Sequence, residues 1–167
     1  MTKTIDDLYE AFLKLYADRP IGRIAVTDLA RLAGYHRNTF YAHFRDMDDL
    51  LGQMKNRAAD EVVCRAHRVF CSHSEMKAAC LREPNGFMTW LRLLFERDEE
   101  TRFSEMLCDK CRPIWEDGYR SASTGMRRQI EIEYKMRGTI AALSYYCRNE
   151  QCFSLSELYT FLRDMAK

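Results

Sequence analysis

The chain has 167 residues, of which 47% are hydrophobic and 31% charged, and its formal net charge is +1. This length and composition are ordinary for a globular protein with one core or two small ones, and the near-neutral charge excludes a globally basic nucleic-acid binder but not a local basic surface. Charged residues interrupt every apolar run and no apolar signal region opens the chain, so we expect a cytoplasmic protein without membrane contact.

The first segment predicts a helix that ends near Asp18. Its apolar residues recur at helical spacing, and Pro20 and Gly22 then break the pattern. We expect this helix to pack behind the elements that follow and to complete a three-helix unit. The recurring apolar residues are Ile5, Leu8, Tyr9, Phe12 and Tyr16.

The stretch from Val26 to Phe44 predicts two short helices joined by a tight turn. Gly34 follows the last apolar position of the first helix, where a left-handed cap favours a residue without a Cβ atom. Phe40 and Phe44 are four residues apart, so they give the second helix, from about His36 to Phe44, an inward face. This pattern is typical of a helix-turn-helix, in which the second helix enters the DNA major groove.

If the two phenylalanines face inward, the polar residues of the second helix face outward. Arg37 can bind guanine O6 and N7 with two hydrogen bonds, and Asn38 can bind adenine N6 and N7 in the same way, each pair discriminating by roughly 1–3 kcal/mol. Ala42 can contact a thymine methyl group. The side chains suited to phosphate oxygens rather than bases are Thr39, Tyr41 and His43, with Thr27 in the first helix.

Basic residues concentrate in the same stretch. Between Arg23 and Arg45 the chain has four arginines against the single carboxylate of Asp28. The alternative interpretation is an ordinary solvated polar face. We favour the DNA interpretation because an exposed face that carries Tyr41 and two histidines is unusually aromatic for a surface without a partner.

The residues Gly-Tyr-His-Arg-Asn-Thr-Phe-Tyr-Ala-His-Phe from Gly34 to Phe44, followed by Asp48-Asp49-Leu50-Leu51, resemble the signature of the TetR family of bacterial repressors. The resemblance extends from about Ile5 to Leu51. It implies that the outward residues of the motif contact DNA. The candidate DNA-binding residues are Thr27, Tyr35, His36, Arg37, Asn38, Thr39, Tyr41, Ala42 and His43.

The chain departs from that family's pattern at three places. Met47 stands where many members have a lysine, so we expect one phosphate contact to be missing. Ala25 stands where many have Thr or Ser, which predicts that capping of the first motif helix shifts to Thr27. Only Lys3 is basic in the segment ahead of the first helix, whereas many members have a longer basic arm.

Helical patterns continue beyond the motif. Asp46 can cap a long helix that runs to about Phe70 and links the motif to the rest of the chain. A short helix is predicted from Glu75 to Arg82, and Pro84-Asn85-Gly86 then forms a clear break.

Two further apolar faces follow this break, between Phe87 and Leu94 and between Phe103 and Trp115. Pro113 predicts a kink in the second helix or its division, and Gly118 to Gly125 reads as a loop. Apolar and aromatic residues here can line an effector pocket, although the same residues at the same spacing are what a helical core needs. The candidate pocket residues are Trp90, Leu94, Phe103, Met106, Trp115 and Tyr145.

Two helices end the chain, one from Met126 to Arg148 and one capped by Ser154. The longer helix is apolar on two sides, which indicates burial on both. We infer that these helices serve both the core and a partner subunit, and the TetR resemblance implies a four-helix interface between two copies. The two apolar faces are Ile132, Met136, Ile140 and Leu143, and Ile130, Tyr134, Ala141 and Tyr145.

The sequence therefore predicts an all-α protein, with a helix-turn-helix DNA-binding domain at residues 1–46 and a helical regulatory and dimerisation domain at residues 47–167, in which residues 47–70 form the linking helix. We expect a dimeric repressor whose affinity for an operator in double-stranded DNA changes when a small-molecule effector binds the C-terminal helices. No cofactor is predicted.

Two alternatives remain open at this stage. One is a helical dimer that acts mainly through protein–protein contacts. The other is a regulator that responds to metal or oxidant through Cys108 and Cys111, although the seven cysteines suit reduced, buried thiols and no metal site is predicted. An enzyme is not expected, because the sequence has no Gly-rich phosphate loop, no nucleophile elbow and no His-Glu-x-x-His.

Overall fold

A computed structural model describes residues 3–71, 87–98, 102–118, 123–149 and 155–165. These residues form eight α-helices and a 3-10 turn at Ile21–Arg23, with no strand among them, which confirms the all-α prediction. The helices are α1 (Lys3–Asp18), α2 (Val26–Leu32), α3 (Arg37–Tyr41), α4 (Met47–Cys71), α5 (Phe87–Glu96), α6 (Arg102–Gly118), α7 (Gly125–Arg148) and α8 (Leu155–Met165).

Two compact units make up the chain, the first ending at Arg57 and the second beginning at Ala58. The division therefore falls within α4. The assignment of DNA binding to residues 1–46 and of regulation to residues 47–167 stays a prediction. Among the described helices, none combines the length and apolar character needed to cross a bilayer.

The first unit is the predicted three-helix arrangement, in which α1 packs against α2 and α2 against α3. The turn between α2 and α3 depends on Gly34, whose φ of 79° lies in the left-handed region that glycine adopts without strain. The backbone amide of Tyr35 then donates to the carbonyl of Ala30 at 2.8 Å and closes the turn. The predicted tight turn is confirmed.

The helix α3 is shorter than predicted, because His36 is its N-cap and Ala42 its C-cap. The chain nevertheless continues to turn inward beyond the regular helix. The backbone amide of Phe44 donates to the carbonyl of Phe40 at 2.9 Å. Phe44 therefore stays on the buried side, as the four-residue spacing predicted.

The predicted shift of the α2 cap to Thr27 is wrong. The N-cap is Ala25, which makes no side-chain hydrogen bond. The amides of Asp28 and Leu29 both donate to the carbonyl of Ala25. The helix has therefore already begun before Thr27, and the chain forms it without a side-chain cap.

The predicted cap at the start of α4 is confirmed, and it is reciprocal. The amide of Asp49 donates to Oδ1 of Asp46 at 2.8 Å, and the amide of Arg45 donates to Oδ2 of Asp49 at 2.9 Å. These bonds satisfy backbone donors that the start of a helix otherwise leaves without partners. The accepted hydrogen bond from the Arg45 amide lowers the pKa of the Asp49 carboxyl below 3.8.

In the second unit, α7 packs against α5, α6 and α8. The aromatic rings of Phe95 and Phe103 lie 5.1 Å apart at its centre. Asp98, between α5 and α6, is buried and accepts hydrogen bonds from the amides of Phe103 and Ser104, at 2.9 and 3.1 Å. This carboxylate caps the N-terminal end of α6 and so fixes where that helix enters the core.

The proline in α6 does not divide the helix, which runs through Pro113 without a break in its assignment. Proline removes one backbone hydrogen bond, but Cys111 and Trp115 on either side of it are buried. Their packing holds the helix together. The long predicted helix to Arg148 is confirmed as α7, and α6 and α7 bound the predicted loop at Gly118 and Gly125.

Three further predictions fall where the structure gives no description. The helix from Glu75 to Arg82, the break at Pro84-Asn85-Gly86 and the Ser154 cap all lie outside the described residues.

The Asp49→Asn variant tests the reciprocal cap. We expect the wild type to be more stable than this variant near neutral pH, and the difference to shrink as the pH falls below about 3.8. The reason is that the pKa of the folded carboxyl lies below that of the unfolded chain, so acid protonates the unfolded state first. Urea unfolding at a series of pH values measures the difference.

A matched control is Asp48→Asn, which removes a neighbouring carboxylate that makes no hydrogen bond to another described residue. This control accounts for the loss of one negative charge at the helix start. A difference between Asp49→Asn and wild type that stays constant across the acidic range contradicts the cap.

Candidate nucleic-acid interface

The orientation of α3 is fixed by two buried aromatic side chains. Phe40 and Phe44 are almost completely buried, and their ring centroids lie 5.4 Å apart. The ring of Tyr9, on α1, lies 5.8 Å from that of Phe44. Because these rings occupy the core of the unit, the opposite side of α3 must face outward.

The outward side of α3 carries the residues that the sequence predicted to bind bases. Arg37, Asn38 and Ala42 are exposed. Tyr41 is 56% exposed, and its ring packs edge-on against Phe40 at 5.4 Å. These four side chains thus lie on one short helix and its C-cap, with their polar groups available to an incoming duplex.

The remaining predicted contacts lie beside this surface. Thr39 and His43 are half-buried, and the imidazole ring of His43 lies 6.3 Å from the ring of Phe44. Thr27 is exposed in the first turn of α2. Hydroxyl and imidazole groups held close to the backbone in this way suit phosphate contacts, which position a protein without selecting a base.

The local positive charge is partly neutralised. Arg31 lies 3.1 Å from Asp28, and Arg45 lies 3.7 Å from Asp49, although both arginines are exposed and such pairs are weak. Arg37 forms no ion pair or hydrogen bond with another described residue. Its guanidinium group can therefore bind DNA without first breaking a contact to another described residue.

His36 has a structural part in the same surface. As the N-cap of α3, its Nδ1 atom accepts a hydrogen bond from the backbone amide of Asn38 at 3.3 Å. The ring is exposed. His36, which the sequence predicted to contact DNA, thus also stabilises the first turn of α3, where Arg37 and Asn38 lie.

Tyr35 is also more than a surface residue. Its hydroxyl group donates to Oδ2 of Asp7 at 2.8 Å, across 28 positions of sequence. This bond ties the turn ahead of α3 to α1. The hydroxyl is thus already engaged within the protein, which gives Tyr35 a supporting role whether or not it also contacts DNA.

Sequence reasoning missed a second tie to α1. The guanidinium of Arg57, on α4, lies 2.6 Å from the carboxylate of Asp6 and 5.6 Å from the ring centroid of Tyr9. Burial raises the pKa of the Tyr9 phenol, and Arg57 opposes that effect. Asp6 and Arg57 are 51 positions apart, so no local pattern could have shown this contact.

Two grooves lined by described residues do not bring the six predicted effector-pocket residues together. Leu94, Phe103 and Trp115 are buried in the core, Trp90 and Met106 are half-buried, and Tyr145 is 60% exposed. An open groove of about 460 Å³ includes Tyr145 and Cys108, and a larger one of about 1120 Å³ runs along α7, but neither includes the other five. Their role in effector binding stays a prediction.

The cysteines of α6 lack the properties of a sensor. Cys108 and Cys111 are both buried and unpaired. Burial raises the pKa of the Cys108 thiol, and burial together with the neighbouring Cys108 raises that of Cys111 to about 11. Thiols in this environment remain protonated near neutral pH and react slowly. The described residues also contain no cluster of His, Cys, Asp and Glu side chains that could hold a metal ion.

A second exposed surface lies on α7, on one of the two apolar faces that the sequence pattern showed. Ile130 is 61% exposed and Tyr134 75% exposed. We call this surface the α7 stripe. Its members, which share one side of the helix, are Met126, Ile130, Tyr134, Ala141 and Tyr145.

Comparison with known proteins identifies the first unit. Residues 8–54 match the family model described as bacterial regulatory proteins, tetR family. The match begins within α1, covers α2 and α3 and ends within α4, so it includes all nine candidate DNA-binding residues. No curated protein matches the chain by sequence.

Two solved structures share the fold along nearly the whole chain. A structure titled dihydroxyacetone kinase operon activator DhaS has a TM-score of 0.68 at 18% identity, covering 98% of this chain and 94% of its own. The fatty acid degradation regulator FadR from Bacillus halodurans has a TM-score of 0.64 at 12% identity, covering 99% and 95%. At these identities the likeness concerns the fold alone.

The matched helix-turn-helix and the outward face of α3 agree on DNA binding by the first unit. Residues 8–54 therefore form a DNA-binding domain of the kind found in the tetR family of bacterial regulatory proteins.

Proposed function

We propose that the chain is a dimeric regulator that recognises a palindromic operator, with the outward face of α3 in the major groove of each half-site. The observation that carries this proposal is the unpaired Arg37 beside the exposed Asn38, on a helix whose orientation is set by Phe40 and Phe44. A two-fold dimer places its half-sites about one helical turn of DNA apart, roughly 34–36 Å, or a multiple of that distance.

Selection of bound fragments from genomic DNA of the source organism, at a fixed salt concentration, tests this function. Enrichment of one palindromic sequence supports the proposal and supplies the duplex for the measurements below. Recovery of fragments without a shared sequence, from protein that is folded and dimeric, contradicts sequence-specific recognition.

Arg37→Ala should relax the preference for one base pair in each half-site. A guanidinium that binds guanine O6 and N7 together discriminates by roughly 1–3 kcal/mol, and alanine makes neither bond. The measurement is fluorescence anisotropy with the selected duplex and with duplexes altered at each position.

Arg37→Lys is the matched control for charge. Lysine keeps the attraction to phosphates but lacks the planar, two-pronged geometry, so non-specific affinity should remain while discrimination falls. If both variants keep the wild-type base preference at every position, residues other than Arg37 recognise the bases.

Tyr41→Phe should weaken binding to all duplexes alike. The substitution removes only a hydroxyl group, for which we propose a phosphate contact worth about 0.5–1.5 kcal/mol. The ratio of specific to non-specific affinity should therefore stay unchanged. The thermal midpoint of the free protein should also stay unchanged, because the phenylalanine ring preserves the packing on Phe40. A selective loss at one base pair contradicts the phosphate assignment.

We propose that the α7 stripe forms the dimer interface together with α8, where Phe161 is 49% exposed. Support comes from the two-faced pattern of α7: Ile132, Met136 and Ile140 are buried in the chain's own core, while the stripe remains uncovered. Large exposed apolar patches of this kind mark protein interfaces. The family's four-helix interface agrees with the position.

Combined substitution of Ile130→Glu and Tyr134→Glu should separate the subunits, because burying two carboxylates in an apolar interface is costly. Light scattering should then give the chain mass of 19.8 kDa for the variant and twice that for the wild type. Operator affinity should fall with the dimer, because each subunit supplies one half-site contact.

Thr89→Glu, at an exposed position of α5, is the control for an added carboxylate away from the stripe. It should leave the dimer mass unchanged. If the double variant remains dimeric, the dimer interface does not depend on the α7 stripe.

We further propose that a small-molecule effector binds among the C-terminal helices and changes operator affinity. The aromatic interior formed by Phe95, Phe103 and Trp115 suits an apolar ligand, which has to displace part of this packing to enter. Linkage then requires DNA to change the affinity for the effector by the same factor and in the same direction. Repression is the expected mode, and a reporter assay has to read both directions, since one similar structure is titled an activator.

A further inference from the structure

The N-cap of α3 is chemically unusual because its acceptor is an imidazole. A backbone N–H group can only donate, so the bond from the Asn38 amide requires a lone pair on Nδ1 of His36. The ring must therefore be neutral, with its single proton on Nε2. In the imidazolium form both ring nitrogens carry protons, and Nδ1 then presents a donor to a donor.

Loss of this cap acts directly on the residues that bind bases. The helix has five residues, and Arg37 and Asn38 form its first turn. An N-cap of this kind changes a helix-forming equilibrium by roughly 2- to 30-fold. In such a short helix, no further turns are present to compensate.

We propose that specific operator binding by this chain requires the neutral form of His36, so that acidification weakens it. This inference rests on the proposed function of α3. In the free protein the first turn can open when His36 is protonated. In the complex, the base contacts of Arg37 and Asn38 hold that turn closed, so the protonated ring is disfavoured and binding releases a proton.

The predicted effect of acid on operator affinity is opposite in sign to the effect of a histidine that only attracts DNA by its charge. A protonated imidazole beside phosphates strengthens binding, and it does so for every sequence. Non-specific affinity should therefore rise in acid while specific affinity falls relative to it. The ratio of specific to non-specific affinity therefore distinguishes loss of the helix cap from gain of a positive charge.

Among the described residues, no carboxylate is paired or hydrogen-bonded with His36. The nearby carboxylates whose contacts are known are engaged elsewhere: Asp7 is bonded to Tyr35, Asp28 is paired with Arg31, and Asp49 is paired with Arg45.

The first test uses the duplex recovered by selection and a scrambled duplex of the same length, from about pH 7.5 to about pH 5.5, which spans the range in which imidazoles change charge. The wild-type ratio of specific to non-specific affinity should fall by roughly 2- to 30-fold. His36→Ser accepts the same amide bond at every pH, so its ratio, whatever its level, should not change between these pH values. His36→Ala should have a low ratio throughout.

His43→Gln is the control for the other histidine of the motif: whatever its affinity, its ratio should keep the wild-type pH dependence. Acid dependence that persists in His36→Ser, or a wild-type ratio that does not change, overturns the proposal.

A second test needs no DNA and separates this inference from the function on which it rests. The amide proton of Asn38, followed by nuclear magnetic resonance in the free protein, should shift as the pH falls from about 7.5 to about 5.5 and should not shift in His36→Ser. If the Asn38 amide resonance shifts with pH but selection recovers no shared sequence, the proposed function is contradicted and the histidine cap is supported. If a shared sequence is recovered and the amide resonance does not shift with pH, the histidine cap is contradicted and the proposed function is supported.

Discussion

The packing of two phenylalanines against α1 is the constraint on which the DNA-binding unit depends. Phe40 and Phe44 occupy the interior of the three-helix arrangement, with Tyr9 against the second of them. A helix of five residues has little stability of its own, since helices gain stability from length and from tertiary packing. Burial of these rings therefore holds α3 in place and determines which of its side chains meet DNA.

Polar contacts then fix the ends of the helices that pack around these aromatic rings. Tyr35 is bonded to Asp7, Arg57 is paired with Asp6, and Asp46 and Asp49 cap the start of α4. His36 belongs to the same group, as the cap of α3. Arg37 is left without an internal partner among the described residues, so these contacts fix the backbone of α3 and leave its guanidinium group available. Such an arrangement limits the entropy lost when α3 binds a groove.

Local signals made the helix-turn-helix predictable. Gly34 shows the left-handed turn, and the four-residue spacing of Phe40 and Phe44 shows the buried side of α3, because both effects act within a few residues. The cap of α2 was predicted wrongly, since the rule favours polar N-caps and this helix begins at Ala25 without one. The ties from α1 to Tyr35 and Arg57 escaped prediction because their partners are distant in sequence.

Helical spacing was less informative about the second unit. It correctly identified the buried side of α7, and it showed a second apolar side that the single chain leaves uncovered. It could not tell a core from a pocket, because an aromatic residue at a buried position satisfies either. Leu94, Phe103 and Trp115 lie in the core, whereas Tyr145 is exposed. A cavity depends on how helices distant in sequence meet, and no single helix pattern contains that information.

The central claim is that the outward face of α3 recognises bases in the major groove, and methylation interference tests it most directly. Methylation of guanine N7 blocks one of the two atoms that a guanidinium binds. The account predicts a guanine in each half-site whose methylation prevents binding of the wild type and has no such effect on Arg37→Ala. The same interference in both proteins, or interference by no major-groove atom, contradicts the account.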